Sequence, residues 1–388
     1  MIEIDDNTIE NIISNNICVE NIRITDNLSD YNLRKFLDSN ILDKVYRLTF
    51  YDCSSLISIT SLHAELLHNL VSLRCWECRY INTVPILSNL NTLDLFGCVS
   101  LLSIPVLSNL QKLYCCRSVN LKELPILPKL TELYCSECIS IQTIPILPNL
   151  IILECNTCIN LRNLPALPKL IELTCVDCNM LEYLPDFPVL ENLDCTLCTM
   201  LTSIPTTLST LRNLVCCNCT SINTIPTLSN LITLDCSWCD AITTIDILPN
   251  LTTLLCNGCK NLTSIPTMIK LESISCILCS SLKDIPLLPN LINLRCGILN
   301  GIHKLPALKI LNDVEYVKQI FLTEIDNNMD YTCIICYDDN SELISSVNKI
   351  VLTPCGHPYH LECITTWIKS GSGHLDCPYC RCDLVSTI

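Results

Sequence analysis

The sequence predicts an α/β-type repeat solenoid, built from short parallel strands with a mostly extended return path, joined to a small C-terminal domain that needs metal to fold. Three observations lead there. One 20-residue pattern recurs thirteen times, most copies pair a Leu-x-Cys alternation with a proline-bearing return, and past residue 330 the period stops and cysteines mix with histidines. Self-similarity at that period marks a solenoid, in which each copy buries its apolar face only against its neighbours.

The repeat reads L-x-x-L-x-C-x-x-C-x-x-L-x-x-I-P-x-L-P-x, starting at Val45, Leu70, Leu90, Leu110, Leu130, Leu150, Leu170, Leu190, Leu211, Leu231, Leu251, Leu271 and Leu291. The first copy is lengthened by five residues around HAELLH, and the copy at Leu190 carries one extra. The period-two alternation at the fourth and sixth positions suits a short strand with Leu and Cys turned inward. Leu or Ile at the twelfth position and Leu, Ile or Val at the fifteenth point the return path into the same interior. The sixteenth position is Pro in eleven of the thirteen copies. Proline fixes φ and lacks the amide donor, so this side is extended and non-helical, and the strands stack on one face only.

The recurring Cys-x-x-Cys pairs, such as Cys256 and Cys259, have a spacing often used for zinc. Their context reads differently. Where the sixth position is not Cys it is Phe50 or Leu95, both apolar, and where the ninth is not Cys it is Ser118 or Leu299. Free cysteine behaves as a small buried hydrophobe with a weak donor, which fits both slots without metal, so these pairs are assigned to the core. The whole pattern closely resembles the leucine-rich repeat, in its short L-P-x-L-P and plant-type Cys-x-x-Leu forms, over residues 45–311. The resemblance implies a leucine-rich-repeat solenoid with a parallel concave sheet. It also implies that the ninth side chain bonds the backbone of the turn, a job Ser118 can share.

Composition narrows the function. With 49% hydrophobic and 16% charged residues the 388-residue chain is too apolar to be disordered, and its net charge of −15 disfavours a nucleic-acid backbone as partner. The start MIEIDDNTIENIIS lacks the basic and apolar segments of a secretory signal, and no run approaches the ~18 apolar residues of a membrane span. The expectation is an intracellular, cytoplasmic protein with no membrane partner, whose 32 cysteines are reduced rather than disulfide-bonded. Residues 1–44 read as an N-terminal cap with a helix in SDYNLRKFLDSN, where Leu33, Phe36 and Leu37 share a face and Ser29 or Asp30 caps it. An adaptor-binding helix of F-box type is the alternative. Residues 312–330 read as a capping helix or linker, and 331–388 as the second domain.

That domain offers Cys333, Cys336, Cys355, His357, His360, Cys363, Cys377 and Cys380 in order, enough for two closed tetrahedral zinc sites. So short a segment has too small a core to stand unaided, and zinc would supply much of its folding energy. The isolated His63, His68 and His303 of the repeats read as surface or packing residues. With Gly356, Trp367 and Pro378 in place, residues 331–384 resemble the RING finger family, of the type with two adjacent histidines. The resemblance implies interleaved ligands: Cys333, Cys336, His360 and Cys363 on one zinc, Cys355, His357, Cys377 and Cys380 on the other. Cys382 and His374 remain competing ligands.

The resemblance further implies a RING-type ubiquitin ligase, with Ile335, Trp367 and Pro378 docking a ubiquitin-conjugating enzyme and Arg381 orienting ubiquitin. No covalent intermediate would form on this chain. Packing around the zinc sites is the other reading of Ile335 and Trp367, and a non-catalytic adaptor is the other reading of the whole. Bacterial ligases pair similar repeats with a catalytic-cysteine domain, for which no room is left after residue 330. Long Ile- and Asn-rich repeats joined to a RING finger also resemble proteins of large DNA viruses, which would place the protein in a host cytoplasm.

Strand alternation puts the third, fifth, seventh and eighth positions of each copy on the concave face. They carry Glu77, Asp94, Glu132, Glu137, Glu154, Glu172, Asp177, Asp194 and Asp235 against Arg74, Lys112, Arg117 and Arg295, interleaved with Trp76, Phe96, Tyr114, Tyr134 and Trp238. The expectation is an acidic, aromatic stripe that grips a basic protein substrate, with Glu154, Glu172 and Asp194 at its centre. An ordinary solvated face is the plainer reading.

Overall fold

The computed structural model describes residues 2–14, 20–25, 29–53, 56, 67–283, 285–286, 288–296, 323–324, 333, 335–336, 350–353, 357–360, 363–364, 366–367 and 377–381. Two compact units divide the chain, Met1–Leu211 and Arg212–Ile388.

In the first unit β1 (Ile2–Ile4), β2 (Asn21–Thr25), β3 (Arg47–Tyr51), β4 (Ser72–Trp76), β5 (Thr92–Asp94), β6 (Lys112–Tyr114), β7 (Glu132–Tyr134), β8 (Ile152–Glu154), β9 (Glu172–Thr174) and β10 (Asn192–Asp194) pair in parallel, each with the next. The register aligns equivalent positions, Leu133 on Leu153 and Leu153 on Leu173. Helix α1 (Ile9–Ser14) follows β1, and α2 (Asp30–Leu37) lies where the sequence expects one. Ser29 caps α2 by accepting the Asn32 amide at 3.4 Å, and Phe36 is fully buried. The stretch read as a cap also contributes two strands to the sheet. Their isoleucines explain why: Ile4, Ile22 and Ile24 are all buried and extend the inward row of the repeats.

In the second unit β11 (Asn213–Val215), β13 (Thr233–Asp235), β15 (Thr253–Leu255), β16 (Ser273–Ser275) and β17 (Asn293–Arg295) form the same parallel ladder. The short β12 (Thr224–Ile225) and β14 (Thr244–Ile245) pair on the return path. Every one of the thirteen repeat starts thus opens a turn with its own strand. The solenoid is a parallel-sheet leucine-rich-repeat coil, read from its turn geometry. A separate antiparallel sheet joins β18 (Thr323–Glu324), β19 (Ile350–Leu352) and β20 (Pro358–His360). Among the described residues no helix is long and apolar enough to cross a membrane.

The two cysteine slots do different work. Sixth-position thiols such as Cys135, Cys155, Cys175 and Cys256 are fully buried, as are their replacements Phe50 and Leu95. Ninth-position Cys78 donates to Trp76 within its own turn at 3.6 Å, whereas at most ninth positions the side chain donates a hydrogen bond to the sixth-position carbonyl of the preceding turn. Cys98, Cys138, Cys158, Cys178, Cys239, Cys259 and Cys279 do so at 2.9–3.2 Å, to Cys75, Cys115, Cys135, Cys155, Cys216, Cys236 and Cys256. Ser118 makes the same bond to Leu95 at 3.2 Å. Burial pushes the thiols of Cys75 and Cys98 up, the latter beyond the range of any physiological titration, so they stay protonated and able to donate.

Between these slots the eighth residue takes a left-handed backbone, with φ of 53–63° at ten non-glycine positions including Glu77, Glu137, Asp177 and Trp238. Its amide reaches a neighbouring turn, as from Glu137 to the Asn156 carbonyl at 2.7 Å, which offsets the conformational cost. Glycine holds the position only at Gly97 and Gly258. A Cβ at Gly258 would sit 2.5 Å from the Trp238 ring, so the neighbour adds to the cost of the left-handed φ, whereas at Gly97 the nearest atoms are the movable carboxyl end of Glu77. Asparagines close the far corner: the amides of Asn89, Asn109, Asn149, Asn250 and Asn290 donate at 2.7–2.8 Å to carbonyls 21 residues earlier.

The thiol bond can be isolated at Cys178, which is fully buried. Cys178→Ser should keep the denaturation midpoint close to that of the parent, because a hydroxyl already serves at Ser118. Cys178→Val, similar in shape but without a donor, should cost about 1–3 kcal/mol in a urea titration. Equal midpoints for the two variants would reduce the slot to packing alone.

Candidate functional site

Past the repeats, local pairing arranges the metal-binding chemistry. In the β19–β20 hairpin Val351 faces Tyr359 and Ile350 faces His360. The turn is closed by Thr353, whose amide donates to the His357 carbonyl at 3.1 Å and whose hydroxyl oxygen accepts the His357 amide at 3.1 Å. Alternation along this strand sends His357 and Tyr359 to one side and His360 to the other. That split supplies two separate clusters.

On one side Cys333, Cys336, His360 and Cys363 bring one ligand atom each within 4.8 Å of one another, with Cys336 Sγ 3.2 Å from His360 Nδ1. On the other, His357, Cys377 and Cys380 do the same, with Cys377 Sγ 3.6 Å from His357 Nδ1. A tetrahedral ion with Zn–S bonds of about 2.3 Å holds its ligand atoms roughly 3.8 Å apart, which these groups satisfy with little movement. Three thiols with one imidazole form a donor set suited to zinc. Cys355, expected to complete the second set, lies outside the described residues, as do Cys382 and His374.

The electrostatics agree with ligation. Burial opposes ionisation of Cys333, yet amide donors from Cys336, His360 and Ile335 bring its thiol below the ordinary value. Burial, together with the charge of Cys333, pushes Cys363 up to about 12, because crowded thiols cannot all ionise unless a cation offsets them.

The other expected residues rim these clusters. Cys363, Ile364, Thr366 and Trp367 have helical backbone, with Ile364 buried and Trp367 half-buried. Ile335 and Pro378 are also half-buried. Arg381 is exposed, takes a left-handed φ of 59°, bonds the Cys377 carbonyl through its amide at 2.9 Å, and lays its guanidinium 5.3 Å from the Trp367 ring centre. Sequence reading passed over Tyr359, the largest fully buried side chain of the described chain. Its signal was available, as an aromatic at the alternate position between two histidines.

The Ring finger domain family matches residues 331–381. This segment is a RING finger. The chain is 33% identical over 81 residues to the E3 ubiquitin-protein ligase ATL76 of Arabidopsis thaliana, covering 21% of this chain and 32% of that protein. It is 38% identical over 55 residues to the E3 ubiquitin-protein ligase Godzilla of Drosophila melanogaster, covering 14% and 9%. The chain thus spans less than a third of the length of these curated relatives. A leucine-rich cell surface protein of Faecalibacterium prausnitzii aligns over 76% of this chain and 82% of its own, at 14% identity and a TM-score of 0.27. The leucine-rich repeat domain of the type III effector XopL aligns over 76% and 73%, at 18% identity and a TM-score of 0.17. A RING finger implies zinc, and the clustered thiols and imidazoles are the groups that would hold it.

On the strand face of the solenoid the expected acidic and basic residues are engaged to different degrees. Asp94 is buried, its carboxylate accepting the Trp76 indole N–H, and burial pushes its carboxyl up. Lys112 pairs with Glu132 at 2.8 Å and Arg117 with Glu137 at 3.1 Å, so the earlier turns neutralise themselves. Glu154 accepts from the Ser136 hydroxyl and Asp194 from the Thr196 amide, while Glu172 is exposed. Among the described residues none of these three carboxylates has a cationic partner. Glu154 sits in register beside Tyr134, whose ring stacks on Tyr114 with centres 4.7 Å apart.

Replacing Cys363 by Ala should lower the zinc content of the purified chain by elemental analysis, since it removes one of four clustered donors. Unchanged zinc would take Cys363 out of the ligand set.

Proposed function

We propose that this protein is a RING-type ubiquitin ligase, in which the RING finger binds a ubiquitin-conjugating enzyme and the solenoid recruits a protein substrate. The observation that carries the reading is the RING finger's rim: apolar Ile335, Trp367 and Pro378 half-buried beside the metal clusters, with the basic Arg381 stacked on Trp367. Partly exposed aromatic and aliphatic anchors next to an arginine make strong docking points for another protein. Residues 45–311 form the recruiting arm in this reading, 331–388 the RING arm, and 1–44 and 312–330 the segments that close and connect them. The reduced thiols suit a cytoplasmic setting.

Zinc supports the RING structurally, two ions per chain, held by Cys333, Cys336, His360 and Cys363 and by Cys355, His357, Cys377 and Cys380. With four protein ligands each, neither position offers an open place for a reactive water. The chemistry then belongs to the partner's thioester. A substrate lysine amine attacks the thioester carbonyl, the conjugating enzyme's cysteine leaves as thiolate, and an isopeptide bond replaces the C–S bond. Arg381 and the docking residues restrict the thioester to orientations open to attack, which lowers the entropic part of the barrier.

On the solenoid, Glu154, Glu172 and Asp194, which have no cationic partner among the described residues, and the Tyr114–Tyr134 stack next to Glu154 suit a basic protein segment, through charge and cation–π contacts.

Purified chain with a panel of conjugating enzymes, ubiquitin and ATP should self-ubiquitinate and carry about two zinc ions. Ile335→Ala and Trp367→Ala should each reduce transfer at least tenfold with zinc retained. Full activity in both variants would remove the docking assignment, and no transfer with any conjugating enzyme would leave the protein a non-catalytic adaptor.

Charge reversal separates the two arms. Glu154, Glu172 and Asp194 all changed to Lys should weaken capture of a basic protein substrate and lessen its salt sensitivity, while self-ubiquitination continues. Undiminished capture would move recognition off this face.

A further inference from the structure

Tyr359 is fully buried, and its hydroxyl oxygen lies 3.1 Å from Cys377 Sγ, itself fully buried. We infer that Tyr359 is a positioning residue of the second zinc site, its hydroxyl donating a hydrogen bond to the Cys377 thiolate. This rests on the two-site reading above.

The direction of the bond follows from the chemistry of ligation. Cysteine binds zinc as the thiolate, which has no proton to give. The phenol is then the donor of this pair. Burial of both groups keeps water from taking over the role, so the sulfur's negative charge must be balanced by zinc and by protein donors. Tyr359 is well held for this. It faces Val351 across the hairpin, it shares a strand side with His357, and the Thr353 bonds to His357 brace the turn two residues away. Both His357 Nδ1 and the Tyr359 hydroxyl therefore converge on Cys377 from one stretch of backbone.

The same hydroxyl cannot serve the first cluster. His360 occupies the opposite strand side, with Cys336 at 3.2 Å. The inference thus predicts an asymmetry between the two ions that general weakening of the domain would not produce. Tyr379 supplies a control, because its ring also lies against His357, at 4.8 Å, but its side chain is mostly exposed.

The test uses the full-length, zinc-loaded chain with a chromogenic chelator in excess, following release of each ion over time. Alkylation of individual cysteines, mapped by mass spectrometry, assigns each phase to its site. In Tyr359→Phe, which keeps the ring and its packing, one ion should leave about 10–100-fold faster, with Cys377 becoming alkylated in step, while the phase belonging to Cys333 and Cys363 is unchanged. Cobalt(II) substitution gives a second readout, since the sulfur-to-cobalt charge-transfer band should shift in Tyr359→Phe and not in Tyr379→Phe. Identical release in the parent and Tyr359→Phe overturns the inference, and so does equal acceleration of both ions. A parent chain that carries fewer than two zinc ions would instead overturn the two-site reading.

Discussion

In turn after turn of the solenoid, the ninth-position side chain donates to a carbonyl 23 residues earlier, and the rest of the coil is organised around that bond. The chain must leave the strand through a tight corner, where sheet pairing has ended and a sixth-position carbonyl such as that of Cys135 accepts the ninth-position amide of its own turn, from Cys138 at 3.3 Å, and has a second lone pair to fill. A donor at the ninth position satisfies the sixth-position carbonyl of the turn before. The left-handed eighth residue sends its amide to a neighbouring turn at the same corner. These bonds run between turns, so the repeats are tied together by the groups that shape each corner. The inward leucines and cysteines then meet at a constant spacing, as the register of Leu133, Leu153 and Leu173 shows.

This explains the chemistry of the slot. A thiol is small enough for a fully buried site, gives up little by being desolvated, and still carries one proton. Serine substitutes at position 118 because it keeps that proton. Asparagine does related work at the exposed corner, where its larger amide reaches a carbonyl one turn back and leaves its oxygen to accept from Lys129, Lys169 and Lys270. The abundance of Cys and Asn in this chain is thus largely hydrogen-bond accounting.

The period made most of the solenoid legible in advance, since leucine and cysteine recur where burial requires them. What stayed hidden depends on contacts between residues far apart in the sequence. The strands at Ile2–Ile4 and Asn21–Thr25 lie outside the 20-residue pattern, and only pairing with Arg47–Tyr51 reveals them as part of the sheet. Thr323–Glu324, in the stretch read as a capping helix or linker, pairs with β19 for a similar reason. The left-handed eighth position was illegible because Glu, Asp, Arg and Trp fill it rather than glycine. The acidic stripe was read as a count of charges, whereas cross-turn pairs at Lys112 and Arg117 neutralise part of it and Trp76 buries another part. In the RING finger the spacing announced the seven ligands that the structure gathers, while the contact of the Tyr359 hydroxyl with Cys377 joins residues 18 apart and no ligand spacing contains it.

Cys-x-x-Cys therefore carries two chemistries in one chain, and the spacing itself does not choose between them. In the solenoid each pair is split by the corner: one sulfur packs inward and the other points at a carbonyl, and at Cys98 burial keeps the proton on it. In the RING finger Cys333 and Cys336 meet His360 and Cys363, and amide hydrogens turned toward Cys333 favour its thiolate. The same two residues at the same interval become a buried donor or a metal-ligand pair according to what surrounds them: a carbonyl of the preceding turn at the solenoid corner, or a further thiol and an imidazole in the RING finger. Once the proton is gone, two further ligands and a buried site make a closed zinc site the stable outcome.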